Sequence, residues 1–242
     1  MHIPDGFLDP KISYGLMGLA VVALSYSISK LSGVVTELAP IEVMAAVGNK
    51  VRTVSGQGRR VLSKFGENFI YRMGMVASLI FAAQMFNFPI GNATSGHLIG
   101  GVLAAVLLGP FAGLLVIATV LIVQSLFFAD GGLIALGANI INMAFLGSFV
   151  AYYIYVSLKR IMPETPAVFI SAWVSVVLAA LATSLEIGFS GTFALSSVAA
   201  AMLNVHVIIG IAEGLITVVL VKVFRQFLDL PSPYGRGPKH YD

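Results

Sequence analysis

Histidine at position 2 stands next to the amino terminus, where a short stretch of chain can wrap around one metal ion. The Met1 amine, the His2 amide nitrogen and the His2 imidazole can close a five-membered and a six-membered chelate ring. Three nitrogens then lie in one plane, and His97 is the candidate for the fourth corner. Nitrogen-only, square-planar ligation suits Ni(II) or Cu(II) better than zinc. Because the amide must lose its proton, binding should release protons and weaken at acid pH. The alternative is that His2 has no role.

His97 also has a structural interpretation, as the cap of the helix that follows it. Thr94 and Ser95 are better N-caps by residue type, so a capping role leaves the histidine unexplained in apolar surroundings. The neighbouring Asn92 and Ser95 either support the metal ligands or have a purely structural role.

Further polar side chains fall within apolar runs, where burial in a membrane is costly and usually directs them toward the bundle interior. His206 and Glu213 are seven residues apart and therefore share one helix face. They can form a second metal site, a proton path or a contact that holds helices together. Asn139 and Asn142 either brace helices or support a metal-binding histidine.

The composition indicates that the lipid bilayer is most of the solvent for this chain. Apolar residues make up 58% of the sequence and charged residues only 10%, whereas soluble domains are about a quarter charged. The mean hydropathy is +0.94. The basic residues stand at the ends of apolar runs and not on one folded face, which argues against nucleic-acid binding. The absence of cysteine excludes disulfides and thiolate metal sites.

The apolar runs predict an all-α membrane protein with about seven transmembrane helices, in one substrate-binding domain over residues 1–230. The predicted spans cover residues 12–28, 69–88, 98–108, 111–128, 133–158, 167–189 and 198–224. Residues 31–68 are expected to form a cytoplasmic connection of two short amphipathic helices around Gly56-Gln57-Gly58. Residues 231–242 are expected to be a disordered cytoplasmic tail. The acidic start of the chain does not resemble a signal peptide, and we expect it to be retained.

The distribution of basic residues predicts the orientation. If the N-terminus lies outside and the C-terminus in the cytoplasm, 13 of the 14 Lys and Arg residues fall on cytoplasmic segments, and only Lys11 lies outside. We therefore expect a multi-pass protein of the plasma (inner) membrane. The third run is short, since ~11 residues reach only ~17 Å of a ~30 Å hydrocarbon core. His97 should then lie below the outer surface, in a buried cavity.

Motifs that support catalysis are missing from the sequence. It contains no zinc-protease H-E-x-x-H, no G-x-S-x-G elbow and no nucleotide-binding glycine-lysine loop. We therefore predict that the chain is not an enzyme, and that partner subunits hydrolyse any ATP that drives transport.

Several segments together resemble the NikM/CbiM family, the substrate-binding membrane subunits of energy-coupling factor (ECF) transporters for nickel or cobalt. These segments are MHIPDGFL, FAAQMFNFPI with TSGHLIGG, GGLIALGANIINMA, and H-x-x-I-G-I-x-E-G-L-I-T from His206. The resemblance covers nearly the whole chain outside residues 31–68 and the tail. It implies the six-helix substrate-binding fold of these transporters with one extra N-terminal helix.

The resemblance also implies the metal site and the partners. Metal would be held by the Met1 amine, the His2 amide and imidazole, and His97. The partners would be a membrane coupling (T) subunit, cytoplasmic ABC-type ATPase subunits and a small accessory membrane subunit. The segments resemble the nickel branch more closely, so Ni(II) is the expected transported substrate, with Co(II) as the alternative and no organic cofactor. A less favoured rival is a stand-alone, proton-coupled metal permease with Glu186, His206 and Glu213 as its relay.

Overall fold

The structure is a computed structural model that describes residues 1–47, 50–86, 88–90 and 94–228 of the chain. Within these residues the protein is mainly helical, with two small antiparallel hairpins. The helices are α1 (Pro10–Val35), α2 (Lys64–Gln84), α3 (Gly101–Leu108), α4 (Pro110–Phe127), α5 (Leu136–Asn139), α6 (Ala151–Leu158), α7 (Glu164–Phe189) and α8 (Leu195–Leu228). A π-helical segment (Ile140–Val150) joins α5 to α6, so residues 136–158 form one continuous rod. The expected tail, residues 231–242, lies outside the described residues.

Five of the described helical segments are long and apolar enough to cross a membrane: α1, α4, the 136–158 rod, α7 and α8. Two of the seven predicted spans do not meet that standard. Helix α2 has 21 residues but carries charged residues in its first half, including Lys64, Glu67 and Arg72. Helix α3 has only eight residues. The prediction of a helical membrane protein is confirmed, whereas the count of about seven transmembrane helices stays a prediction.

The prediction of two amphipathic helices within residues 31–68 is wrong. Helix α1 continues to Val35, and strands β1 (Thr36–Val47) and β2 (Lys50–Leu62) then pair antiparallel from Thr36↔Leu62 onward. The register shifts between Ala39 and Ile41, on either side of a proline. A proline and two glycines disfavour helix in this stretch, while Val, Ile and Thr fit a strand. Proline also cannot donate to the ladder, which accounts for the irregularity.

Helix α3 lies at the centre of the bundle, and seven of its eight residues are buried. A helix that is apolar on every side is stable only when other elements surround it. It packs against α4, α7, α8 and the π-helical segment. Gly101 approaches the π-helical backbone so closely that a Cβ would overlap the Gly147 carbonyl. The third predicted helix is therefore shorter than expected and fully enclosed.

Candidate metal centre

The N-terminal segment, residues 1–5, folds back into the bundle. Met1 and Ile3 are 0% exposed and His2 is 4% exposed. Burial of two large apolar side chains contributes about 1.5–3 kcal/mol each to this docking. The Asn139 side chain holds both backbone groups of Ile3: its Oδ1 accepts from Ile3 N at 2.8 Å, and its Nδ2 donates to Ile3 O at 3.2 Å. Gly132 N also donates to Ile3 O, at 2.9 Å.

Asp5 fastens the other end of this segment to the loop between α4 and α5. Its carboxylate accepts from the backbone N–H groups of Leu133, Ile134 and Ala135 at 2.8–3.2 Å. A Cβ at Gly132 would overlap this carboxylate, so glycine is required there. The Asp5 bonds and the Asn139 bonds together fix the backbone of the segment and place the first two residues inside the protein.

Docking brings His2 next to His97, with ring centroids 4.5 Å apart and an angle of 34° between the rings. His2 Nδ1 lies 2.7 Å from Asp130 Oδ1, and His97 Nδ1 lies 2.7 Å from the Leu98 carbonyl oxygen. Both partners only accept hydrogen bonds, so each Nδ1 carries the proton and each Nε2 keeps its lone pair. Both Nε2 atoms are buried without a hydrogen-bond partner among the described residues. An unsatisfied buried polar atom costs about 1–3 kcal/mol, which marks the pair as a site for a ligand.

Burial shifts the protonation of this cluster toward neutral nitrogen. It lowers the pKa of the Met1 amine from its ordinary 8.0 to about 4, although Asp130 acts in the opposite direction. Burial also lowers the pKa of His2 and, more strongly, that of His97. For Asp130, burial is the largest single influence and raises the carboxyl pKa, but the hydrogen bond from His2 and the charges of His2 and the terminal amine together lower the net pKa. Near neutral pH the site therefore presents neutral nitrogens beside one carboxylate, as metal ligation requires.

The loop that carries His97 is fastened by side chains of two other helices. Glu213 on α8 accepts from Ile99 N at 2.6 Å and from Gly100 N at 2.9 Å. Gln84 on α2 donates to Ile99 O at 2.6 Å. Gly100 has a left-handed φ of 72° and precedes α3 directly. The backbone N–H groups just before this helix are thus bonded by a carboxylate from α8, and the His97 side chain bonds the Leu98 carbonyl oxygen instead of capping the helix.

The other predicted site residues lie at varying distances from this centre. Asn142 donates to Glu186 Oε2 at 2.7 Å and to Thr183 Oγ1 at 3.2 Å, so it braces α7 against the π-helical segment. His206 Nδ1 lies 2.7 Å from the Met202 carbonyl of its own helix. His206 and Glu213 therefore have separate partners. Asn92 and the side chain of Ser95 lie outside the described part of the chain.

Asp130 contacts the N-terminal segment and Asp5 anchors it to the loop before α5, and neither was singled out from the sequence. A local signal exists, because Asp130 is followed by two glycines directly after an apolar helix. Ala129 and Gly131 have φ values of 53° and 94°, so the chain turns sharply at this point. A Cβ at Gly131 would lie 3.1 Å from Asn139 Nδ2 and 3.5 Å from His2 Cβ. This turn places the Asp130 side chain against the N-terminal segment.

The chelate predicted from the sequence requires His2 to bind the metal through one particular ring nitrogen. The ring that runs from the amide nitrogen through Cα, Cβ and Cγ has six members only when it closes through Nδ1. In the structure that atom is bonded to Asp130, and Nε2 is the atom without a partner. Among the described residues, no group of three or more His, Cys, Asp or Glu side chains lies close enough to hold a metal ion. The terminal amine and the His2 amide are the further nitrogen donors that this segment offers.

Comparisons with known proteins identify the family of the chain. A family described as "CbiM: Cobalt uptake substrate-specific transmembrane region" matches residues 2–228. The chain is 40% identical over 219 residues to a putative fused nickel transport protein NikMN of Archaeoglobus fulgidus, covering 90% of this chain and 63% of that protein. It is 37% identical over 219 residues to a putative metal transport protein of Haloquadratum walsbyi, covering 90% and 86%. The chain thus spans less than two thirds of the fused relative.

Solved structures share the fold. The crystal structure of a truncated transition metal transporter superposes with a TM-score of 0.75 at 28% identity, covering 96% of this chain and all of that one. The S-component for biotin from an ECF-type ABC transporter superposes with a TM-score of 0.56 at 18% identity over 69% of this chain and 95% of that one. The second match concerns the fold alone. The family match covers nearly the whole described chain, confirms the resemblance stated above and agrees with the prediction that the chain is not an enzyme. This chain belongs to the CbiM family of metal-uptake transmembrane proteins.

Proposed function

We propose that the chain is the nickel-binding substrate-specificity subunit of an ATP-driven ECF-type importer. One observation carries this proposal: the ring centroids of two buried imidazoles lie 4.5 Å apart beside a buried terminal amine, and His97 Nε2 has no hydrogen-bond partner among the described residues. Neutral nitrogen donors of this kind suit Ni(II) and Cu(II). Nickel is favoured over cobalt because the relatives at 40% and 32% identity are named as fused nickel transport proteins.

The proposed ligands are the Met1 amine, the His2 amide nitrogen, the His2 imidazole and His97, in one plane. Closing the six-membered ring through Nδ1 requires the imidazole to exchange its proton and its Asp130 contact for the metal. Asp130 then stays beside the bound ion as a compensating negative charge. Nitrogen-15 NMR of histidine-labelled protein tests this step, because planar Ni(II) is diamagnetic. We expect Ni(II) to shift the Nδ1 resonance of His2. A shift of its Nε2 resonance alone would contradict the chelate.

The proposed topology places the metal centre on the outer side of the plasma membrane. We propose seven spans, in which α2 and the short α3 complete the five apolar ones, with the N-terminus outside and the C-terminus in the cytoplasm. The basic residues support this orientation, since 13 of 14 Lys and Arg residues then lie on cytoplasmic segments. The docked N-terminal segment would close the outer end of the bundle over the ion.

The proposed partners supply the energy. The sequence carries no nucleotide-binding motif, and the fold is shared with the S-component for biotin from an ECF-type ABC transporter. We therefore propose a membrane coupling (T) subunit, cytoplasmic ABC-type ATPase subunits and a small accessory membrane subunit as partners. This chain would bind and select the metal, and its partners would hydrolyse ATP.

Calorimetric titration with Ni(II) tests the site most directly. The detergent-purified protein with its native N-terminus is compared with a variant that has several residues added before Met1. The extension converts the amine to an amide and prevents docking, so we expect one tight Ni(II) site in the first protein and none in the second. The matched control carries the same residues at the C-terminus. Tight binding that survives the N-terminal extension would contradict the amine ligand.

Cobalt is the second candidate substrate, because the matching family is described by cobalt uptake. Competition between Ni(II) and Co(II) for the single tight site separates the two. The proton-coupled permease is tested by metal uptake into liposomes that contain this chain alone. Uptake without an ATPase would support the permease and contradict the subunit proposal.

A further inference from the structure

A single peptide group connects the proposed ligand His97 to a carboxylate on α8. The Leu98 carbonyl oxygen of this group accepts from His97 Nδ1 at 2.7 Å. The N–H of the same group, which belongs to Ile99, donates to Glu213 Oε2 at 2.6 Å. Because a peptide group is planar and nearly rigid, the position of its N–H determines the direction of its carbonyl. The Glu213 carboxylate therefore fixes the oxygen against which the imidazole of His97 is held.

The second oxygen of Glu213 binds the next peptide group along the chain. Gly100 N donates to Glu213 Oε1 at 2.9 Å, and the carbonyl oxygen of that group, Ile99 O, accepts from Gln84 Nε2 at 2.6 Å. Two successive peptide groups are thus held at both ends, which fixes the orientation of the backbone after His97. Only the first of these groups is bonded to the histidine, so Glu213 acts on the ring more directly than Gln84 does.

Burial of a carboxylate at this position is unfavourable unless the charge has a role that a neutral side chain cannot fill. Glu213 is 2% exposed and, within the part of the chain that the structure describes, forms no salt bridge with a lysine or arginine. A hydrogen bond to a charged acceptor is stronger than a neutral one, and it polarises the peptide group so that its carbonyl accepts more strongly. Metal-binding histidines usually donate their other ring N–H to a carboxylate or a backbone carbonyl, which fixes the tautomer and raises the basicity of the ligand. Here the two kinds of partner stand in series behind His97.

We propose that Glu213 is a positioning residue for the metal site. Acting through the Leu98–Ile99 peptide group, it holds His97 as the tautomer that is protonated at Nδ1 and leaves Nε2 free to bind the ion. The inference rests on the proposed function, since it takes His97 as a metal ligand. It also gives Glu213 a role apart from His206, with which it shares a helix face, because His206 Nδ1 bonds the Met202 carbonyl of its own helix.

Glu213→Gln tests this role. The amide has the same shape but only one acceptor oxygen, so it cannot accept from both backbone N–H groups. In metal-free protein with nitrogen-15-labelled histidine, NMR should show one neutral tautomer of His97, protonated at Nδ1, in the unaltered chain and a mixture of both tautomers in Glu213→Gln. The spectrum of His97→Ala identifies the His97 signals. By titration calorimetry we expect the Ni(II) affinity of Glu213→Gln to be about 10–100-fold lower, the usual range for a group that supports a metal ligand.

Two further variants separate this role from general support of the fold. Thr217→Val alters another buried polar side chain, one turn later on α8, and should leave both the tautomer and the Ni(II) affinity unchanged. Gln84→Met removes the bond to Ile99 O and should lower the affinity less than Glu213→Gln does, while His97 keeps a single tautomer. A lower melting temperature of Glu213→Gln with an unchanged tautomer would mean that Glu213 is merely structural and would overturn the proposal. Equal effects of Gln84→Met and Glu213→Gln on the tautomer would also overturn it.

A measurement without any change at Glu213 covers the case in which its replacement disturbs folding. In the unaltered, metal-free protein, the Ile99 amide proton should resonate far downfield, because it is bonded to a buried carboxylate, and His97 should be protonated at Nδ1. An ordinary Ile99 amide shift, or His97 protonated at Nε2, would overturn the proposal even if Ni(II) binds tightly and the proposed function stands. Failure of Ni(II) to bind the unaltered protein would overturn the proposed function, whereas the tautomer measurement, made without metal, tests the Glu213 contact separately.

Discussion

Polar clusters occupy both ends of the helical bundle, and they differ in how completely their atoms are bonded. The N-terminal cluster consists of Met1, His2, His97 and Asp130. The Glu164 cluster consists of Tyr155, Lys159, Glu164 and Arg225, at the end where α6 and α8 stop and α7 begins. In the second cluster one carboxylate oxygen accepts from Arg225 at 2.6 Å, from Lys159 at 3.1 Å and from the Tyr155 hydroxyl.

The degree of burial is what separates these clusters. The Lys159, Arg225 and Glu164 side chains are 49%, 37% and 35% exposed, so water can complete any missing bond. His2 and His97 are at most 4% exposed, so their unpartnered nitrogens have no access to water. A satisfied, half-exposed ion network has a structural role, whereas unsatisfied nitrogen atoms in a buried site indicate a ligand. The following predictions test that distinction.

Replacing His97 by alanine should have the largest effect on metal binding. The substitution removes a ligand, whereas loss of a supporting group typically weakens metal binding by about 10–100-fold. We expect Ni(II) affinity to fall by at least about 1,000-fold with the helical circular dichroism unchanged. Titration calorimetry checks the affinity, and retained tight binding would exclude His97 from the site.

Acidification should release the N-terminal segment. The docked Met1 amine has a pKa of about 4, against an ordinary value of 8.0, so between these values the undocked state binds more protons. The equilibrium constant for docking therefore increases as pH rises from 4 to 8. It decreases about tenfold for each pH unit as pH falls through that window. Hydrogen exchange of the Ile3 amide, corrected for intrinsic rate, should show about 100-fold less protection at pH 5.5 than at pH 7.5. Equal protection at both pH values would contradict a buried amine.

Asp130→Asn should weaken Ni(II) binding by about 10–100-fold, the usual range for a group that supports a metal ligand. The amide keeps the size of the side chain but removes the negative charge beside His2. Asp9→Asn is the matched control, since Asp9 caps α1 at an exposed position and should leave the affinity unchanged. An unaltered affinity in Asp130→Asn would show that the negative charge of Asp130 has no part in metal binding.

Glu164→Gln should have the smallest effect and should act on stability alone. The variant loses two half-exposed ion pairs, which contribute roughly 0–1 kcal/mol each to the free energy of unfolding. We expect a slightly lower melting temperature in detergent and unchanged Ni(II) affinity. A large loss of affinity would mean that the two ends of the bundle are coupled through the structure.

Much of the fold could be predicted because hydrophobic periodicity and length act locally. Each predicted apolar run overlaps an observed helical segment, and the fourth run, predicted to end at Phe128, agrees with the end of α4 at Phe127 to within one residue. The hairpin of residues 36–62 was missed although its proline, glycines and β-branched residues favour a strand, because strand formation depends on cross-strand packing that one segment of sequence does not show. The second run was predicted to reach Phe88, yet α2 ends at Gln84 and Phe88 already belongs to a short strand, Phe88–Ile90.

The sequence by itself determined the class of protein and predicted the donor atoms. Composition requires a membrane environment, and the positions of Met1, His2 and His97 suggest nitrogen ligation, because these properties belong to single residues or near neighbours. Only the tertiary structure decided that Asn139 and Asp5 fold the amino terminus into the bundle, and that Asp130 holds His2 at Nδ1. These contacts join residues more than 120 positions apart. Which polar groups meet inside a bundle depends on how the helices pack. The periodicity of one helix carries no information about which other helix it packs against.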